Sequence, residues 1–281
     1  MSVHPPLEFL YAGVALYVLG FAYALAAAMR GREHGRPIFY GLILAGFAAQ
    51  SVGLYQLGLE ARSYPVGNAF ELLQVLVWVT VFLYLFLRTT FGLRMLGLFA
   101  SGLAALLGVI SLLLPSAGEP SQGLASSGNP WIEFHVGLAL FSYGVFGLLA
   151  VTAIMYLLQS HGLERKRFTG IFRLLPSLAE LDALNRQLLL VGVWALSLAL
   201  TLGLLNWMGR PGSVGAGKLI VAFTVWIGYL AVGWLRWRKR LVAGPYAWSC
   251  VVLFALAMFS LWPVSRPVAR LPAAPIVNSS P

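Results

Sequence analysis

Cysteine is almost absent: Cys250 stands alone among 281 residues. A lone thiol excludes a disulfide framework, a CxxC redox pair and a thiolate metal cluster. Charge is nearly as scarce, at 10% of the chain, with nine acidic residues in all. Together with 59% hydrophobic residues and a mean hydropathy of +0.83, that scarcity excludes a soluble globular class and points to an all-α, polytopic membrane protein. HExxH, P-loop, GxSxG and Rossmann signatures are also missing, which removes the zinc-hydrolase, nucleotide, serine-hydrolase and dinucleotide readings those motifs carry. The formal charge of +10 would suggest nucleic acid in a soluble domain. Here the cations cluster in short loops between apolar runs, where they set orientation, and no nucleic acid is expected as a partner.

What is present is a series of eight apolar runs, each near or above the roughly 20 residues a helix needs to cross the hydrocarbon layer. They cover about Leu7 to Met29, Pro37 to Gly58, Asn68 to Arg88, Leu93 to Pro115, Trp131 to Leu158, Asn185 to Trp207, Ala216 to Leu235 and Pro245 to Val264. Most arginines and lysines follow runs one, three, five and seven, whereas the alternate loops hold Arg62, Arg210 and Lys218. Both termini are therefore expected outside, with the basic loops in the cytoplasm. No Lys or Arg precedes the first run, which reads as a retained helix although its Ala-rich end imitates a signal-peptide cleavage site. Residues 1–265 form the expected transmembrane domain, and 266–281, rich in Pro, an expected disordered tail. Ser116 to Pro130 reads as an exposed loop. The longest loop, Ser160 to Leu184, carries Glu164-Arg165-Lys166-Arg167 before Phe168, Ile171, Phe172, Leu174 and Leu175; a short surface helix and a loop anchored to lipid by its arginines both fit.

His135 is the candidate centre, because it is the one histidine inside a spanning run. Ionisable groups there face a bundle interior, a cavity or a ligand. Ala139 and Ser142 share its helix face at spacings of four and seven, a small-residue groove beside the ring in which a flat cofactor could lie. The alternative is structural: an imidazole bonded to a neighbouring helix's carbonyl. Asn68 and Glu71 form a second pair, with Val75 and Trp78 on the same face and Arg62 as the nearest counter-charge. Spacing alone favours an N-cap with a capping-box glutamate over proton transfer. His4, His34 and His161 fall in loops and form no spaced metal motif. Gly97, Gly102, Gly137, Gly144 and Gly147 read as close-packing positions between helices.

Two stretches together resemble the cytochrome c assembly protein family, the haem-handling membrane proteins of the CcsA, ResC and HemX/YpjD type. One is Pro65-Val66-Gly67-Asn68-Ala69-Phe70-Glu71 running into Leu76-Val77-Trp78; the other is His135-Val136 followed by Phe141-Ser142-Tyr143. A looser likeness covers Leu181-Asp182 to Asn185-Arg186. The resemblance implies haem as cofactor, His135 as its axial ligand at the outer face, and other assembly proteins and apocytochrome c as partners in a bacterial cytoplasmic membrane. Trp131, Tyr143, Trp207 and Trp262 would then wall the haem site, with Ser142 beside the ring and Asn68 and Glu71 supporting its rim. The chain departs from the full synthetase pattern in two places. The tryptophan-rich segment is reduced to Asn206-Trp207-Met208-Gly209-Arg210-Pro211-Gly212, and Phe259-Ser260-Leu261-Trp262 stands where a second outer histidine is expected. A second ligand would have to be Met208, His4, a water or a partner's residue. The chain is thus closer to the shorter HemX/YpjD branch, expected to be an accessory to haem attachment and not an enzyme on its own; the other reading is a non-catalytic membrane regulator or assembly partner that uses the basic loop around Arg165 to Arg173.

Overall fold

The computed structural model describes residues 5–32, 35–62, 64–91, 95–114, 116, 130–166, 172, 174–209, 216–241 and 243–264. The Pro-rich tail, His4, His34 and most of the Ser116 to Pro130 loop lie outside these, as does the side chain of Trp262. All regular elements among the described residues are helical, apart from turns: α1 (Pro5–Met29), α2 (Arg36–Ala61), α3 (Ala69–Phe91), α4 (Leu96–Leu112), α5 (Pro130–Glu164), α6 (Leu178–Gly209), α7 (Ala216–Trp237) and α8 (Gly244–Val264). Each falls on one of the eight expected runs. Six are long and apolar enough to cross a bilayer, while Leu96–Leu112 and Gly244–Phe259 are shorter apolar segments. The chain is a multi-pass membrane protein.

Two boundaries differ from expectation. The loop expected from Ser160 to Leu184 shrinks from both sides, because α5 continues to Glu164 and α6 begins at Leu178. A capping box starts α6 early: Ser177 Oγ accepts the Glu180 N–H at 3.3 Å, and the Glu180 carboxylate accepts the Ser177 N–H at 3.1 Å. Asp182 and Asn185 therefore lie within the helix. The surface-helix alternative falls mostly on residues outside those described.

The core is built on α5. It packs most extensively against α6 and also against α8, α3 and α4. The α5–α6 contact is antiparallel and glycine-mediated. Phe146 presses on Gly192, where an added Cβ would lie 2.8 Å from Cδ1, and His135 presses on Gly203. Further along, the Thr152 hydroxyl donates to Asn185 Oδ1 at 2.5 Å. Small residues on one helix let large ones on the other approach its backbone, the usual device where lipid offers no hydrophobic drive to association.

The α1–α4 half is joined by a buried polar chain. Tyr17 donates to Gln50 Oε1 at 2.9 Å, Gln50 Nε2 donates to Gln74 Oε1 at 2.7 Å, and Gln74 Nε2 donates to Ser111 Oγ at 2.8 Å. Ser111 in turn donates to the Gly108 carbonyl at 2.6 Å. Four helices contribute one member each, and Gln50, Gln74 and Ser111 are all fully buried. In a bilayer such groups must be satisfied internally, so the network fixes how the four helices meet.

Candidate functional site

The residues proposed from sequence sort onto two opposite faces of α5. His135 turns towards α6. Its Nδ1 lies 2.6 Å from the Ala199 carbonyl oxygen, and an added Cβ on Gly203 would fall 2.7 Å from Cε1 and 3.0 Å from Nδ1. The ring thus rests on α6 backbone in a space that only glycine leaves open. A carbonyl can only accept, so Nδ1 donates in this bond, and in the neutral ring Nε2 is the nitrogen that holds the lone pair. This is the bond to a neighbouring helix that the structural alternative expects. It is also the kind of bond that fixes the tautomer of a metal-ligating histidine, in which one ring nitrogen donates to a carbonyl and the other meets the metal.

Ala139 and Ser142 share the His135 face, as the spacing requires, but α6 covers it. Ser142 is buried and its hydroxyl donates to the Ala139 carbonyl at 2.7 Å. The groove expected beside the ring therefore does not extend to Ser142. Trp131 stands one helical turn before His135 and is largely exposed, and Trp207, half-buried, stands one turn beyond Gly203. Those three residues share one end of the α5–α6 pair, together with exposed Met208. Tyr143 lies two turns deeper, within the main hydrophobic cluster.

Asn68 and Glu71 belong to the other face. Asn68 Oδ1 accepts the Glu71 N–H at 2.9 Å, and the Glu71 carboxylate accepts the Gly67 N–H at 2.8 Å and the Asn68 amide at 3.4 Å. That is a capping box drawn one residue further back, and it keeps a buried carboxylate bonded at the start of a spanning helix. Arg62 is not its counter-charge: it ends α2 in a left-handed conformation with φ 48° and stays exposed.

Below this cap a cavity of about 250 Å³ opens between α3 and α5, with Tyr64, Trp78, Phe82, Glu133, Gly137 and Phe141 among its walls. Its aromatic side is flat and rigid. Phe47, Trp78 and Phe82 stack at 5.3 and 5.7 Å, and the Trp78 indole N–H donates to Ser51 Oγ at 2.8 Å. Gly137 was expected to close-pack, yet nothing lies within 4 Å of a Cβ placed there; it is part of the cavity wall. His135 does not line this space. The cavity is smaller than the roughly 300–1,000 Å³ of sites that enclose a drug-sized ligand.

A third polar cluster sits at the opposite end of α6. The Arg236 guanidinium binds Asp182 and lies over the Tyr246 ring at 4.5 Å, and Tyr246 donates to the Asn185 carbonyl at 3.2 Å. It explains the Asp182 to Asn185 stretch as a tie between α5, α6, α7 and α8. Sequence reading missed Thr152, Arg236 and Tyr246. No spacing rule links residues 54 positions apart, and the one available sign was an arginine at the end of an apolar run.

Residues 66–265 match the family described as Cytochrome C assembly protein. The chain is 30% identical to Protein HemX of Brevibacillus brevis over 193 residues, covering 68% of this chain and 70% of that protein. It is 24% identical to Protein HemX of Bacillus subtilis over 266 residues, covering 90% and 94%. A shorter match, 30% over 106 residues, covers 37% of this chain and 30% of the cytochrome c biogenesis protein CcsA of Trichodesmium erythraeum. A polytopic helical protein with the Asn68–Glu71 cap and the His135 helix inside the matched region belongs to the cytochrome c assembly protein family.

Proposed function

We propose that this protein handles haem during c-type cytochrome assembly, holding it at the outer end of the α5–α6 pair with His135 as an axial ligand. The observation that carries the reading is the His135–Ala199 bond, which anchors the ring through Nδ1 and leaves Nε2 as the iron-facing nitrogen. The residues fit one side of a haem iron: an oriented imidazole, with Trp131 and Trp207 at the same helix ends. When bound, haem would supply the vinyl groups that are joined to an apocytochrome; the chain's part is to bind and orient it, with attachment completed alongside other assembly proteins. Met208, His4, a water or a partner's residue would supply the opposite ligand. Ser142, Tyr143 and Trp262 are assigned supporting places deeper in the bundle and on α8, and Asn68 and Glu71 hold the start of α3 across α5 from the histidine. The arginine distribution supports an orientation with this end outside a bacterial cytoplasmic membrane.

The test is optical. Protein purified from haem-sufficient cells is expected to show a Soret band that His135→Ala removes and His135→Met shifts. Colourless wild-type protein, or a band unchanged in His135→Ala, overturns the assignment.

A second reading is favoured by the coverage of the relatives: the two HemX proteins align over 70% and 94% of their length, whereas three CcsA proteins align over 30%, 37% and 47% of theirs. On that reading the chain is a non-catalytic membrane regulator or assembly partner that docks through the basic loop after α5. Charge reversal at Arg165 and Lys166 is expected to abolish recovery of the partner in cross-linked membranes; undiminished recovery counts against it.

A further inference from the structure

The turn joining α7 to α8 plays no part in the haem reading. Five residues in a row, Arg236-Trp237-Arg238-Lys239-Arg240, cover the last two positions of α7 and the turn that follows it. Arg236 is turned inward and spent on Asp182 and Tyr246. The rest are turned out. The Arg238 guanidinium lies 4.9 Å from the centre of the Trp234 ring, which stands 5.1 Å from that of Trp237.

The cations after it are held in a closed turn. Lys239 takes φ 56°, the Lys239 N–H donates to the Arg236 carbonyl, and the N–H groups of Arg240 and Leu241 both donate to Leu235 at 2.9 and 3.2 Å. Arg238, Lys239 and Arg240 are exposed, and among the described residues none of them meets a carboxylate. Above them the indoles of Trp234 and Trp237, 53% and 72% exposed, continue a face with Ile227 and Leu230 that looks away from the bundle. One stripe thus runs from apolar side chains through indoles to three unneutralised cations.

We propose that this stripe is a binding site for an anionic phospholipid, its phosphate at Arg238, Lys239 and Arg240 and an acyl chain along Trp234, Trp237 and Ile227. Charge complementarity selects the occupant. A zwitterionic headgroup brings its own ammonium to the phosphate, whereas an anionic one leaves a net charge for the turn to neutralise. Indoles belong at the depth where headgroup meets chain, and an arginine stacked on one keeps its charge at that level. An acidic protein segment would be drawn by the cations but not by the indoles.

Binding of chain-labelled phosphatidylglycerol and phosphatidylcholine to the full-length protein in neutral detergent, read by fluorescence anisotropy, tests this. Wild type is expected to prefer phosphatidylglycerol. Arg238→Gln/Arg240→Gln is expected to weaken that lipid by roughly 10-fold and remove the preference. Trp234→Ala/Trp237→Ala is expected to weaken both lipids alike. Arg30→Gln/Arg32→Gln, which neutralises a different basic turn, is expected to leave binding unchanged. Should the arginine variant aggregate, 0.5 M salt on wild type replaces it, and is expected to remove the preference. No preference in wild type, persistence of the preference in the Arg238 and Arg240 variant or at high salt, or equal loss in the Arg30 and Arg32 variant overturns the proposal.

Discussion

At the scale of single residues, two glycines on facing helices make opposite demands. Gly203 lies under the His135 ring, so a methyl group there must push the imidazole away from Ala199. Overpacking of this kind costs about 1–3 kcal/mol. Gly203→Ala is therefore expected to lower the melting temperature in detergent and, if haem is bound, to displace the Soret band. Gly137 faces open space, where alanine stabilises a helix by roughly 0.5–1 kcal/mol relative to glycine. Gly137→Ala is expected to raise the melting temperature slightly and to reduce the α3–α5 cavity. Equal melting temperatures for the two variants would contradict the packing described. Asn68→Ala removes the cap of α3 and is expected to cost about 1 kcal/mol, measured in the same assay.

At the scale of elements, α2 and α3 share little surface and are tied by Gln50 and Gln74. Gln50→Leu strands the Gln74 carbonyl side and the Tyr17 hydroxyl, at about 1–3 kcal/mol for each orphaned buried group. Gln50→Leu combined with Gln74→Leu is expected to cost less than the sum of the two single changes, since the second removes a partner already lost. A double-mutant cycle on thermal or chemical unfolding measures that coupling. These ties explain why parts of the fold were legible in the sequence and others were not. The helices follow from apolar length, and the α3 start follows from Asn68 and Glu71 at cap spacing. The early start of α6 was equally written, in Ser177 and Glu180, but a boundary drawn from hydropathy passes over a cap set before polar residues. The facing of α5 against α6 could not be read: it depends on which of many glycines meets a large side chain, and that choice is made by three-dimensional register.

At the scale of the whole molecule, an even number of helices returns the chain to the side from which it entered. Cys250 is buried, so a cysteine introduced elsewhere can be followed against little background. With the basic loops inside, a cysteine replacing exposed Trp131 is expected to react with an impermeant maleimide on intact cells, and one replacing Lys239 only after permeabilisation. The reverse pattern would move His135 to the cytoplasmic side and remove the outer-face assignment. The site was half legible at this scale. The cap was written in the spacing of Asn68 and Glu71, and His135 stood out by its place in a spanning run, but only coordinates show that α5 holds them back to back.

The lengths of α5 and α6 carry a consequence for depth. At 35 and 32 residues they extend about 50 Å, against a hydrocarbon layer of about 30 Å. A pair that outspans the slab by about 20 Å leaves its two ends among headgroups and water, so the His135 bond and the Asp182–Arg236 tie belong to the two opposite boundaries of the bilayer and not to its midplane.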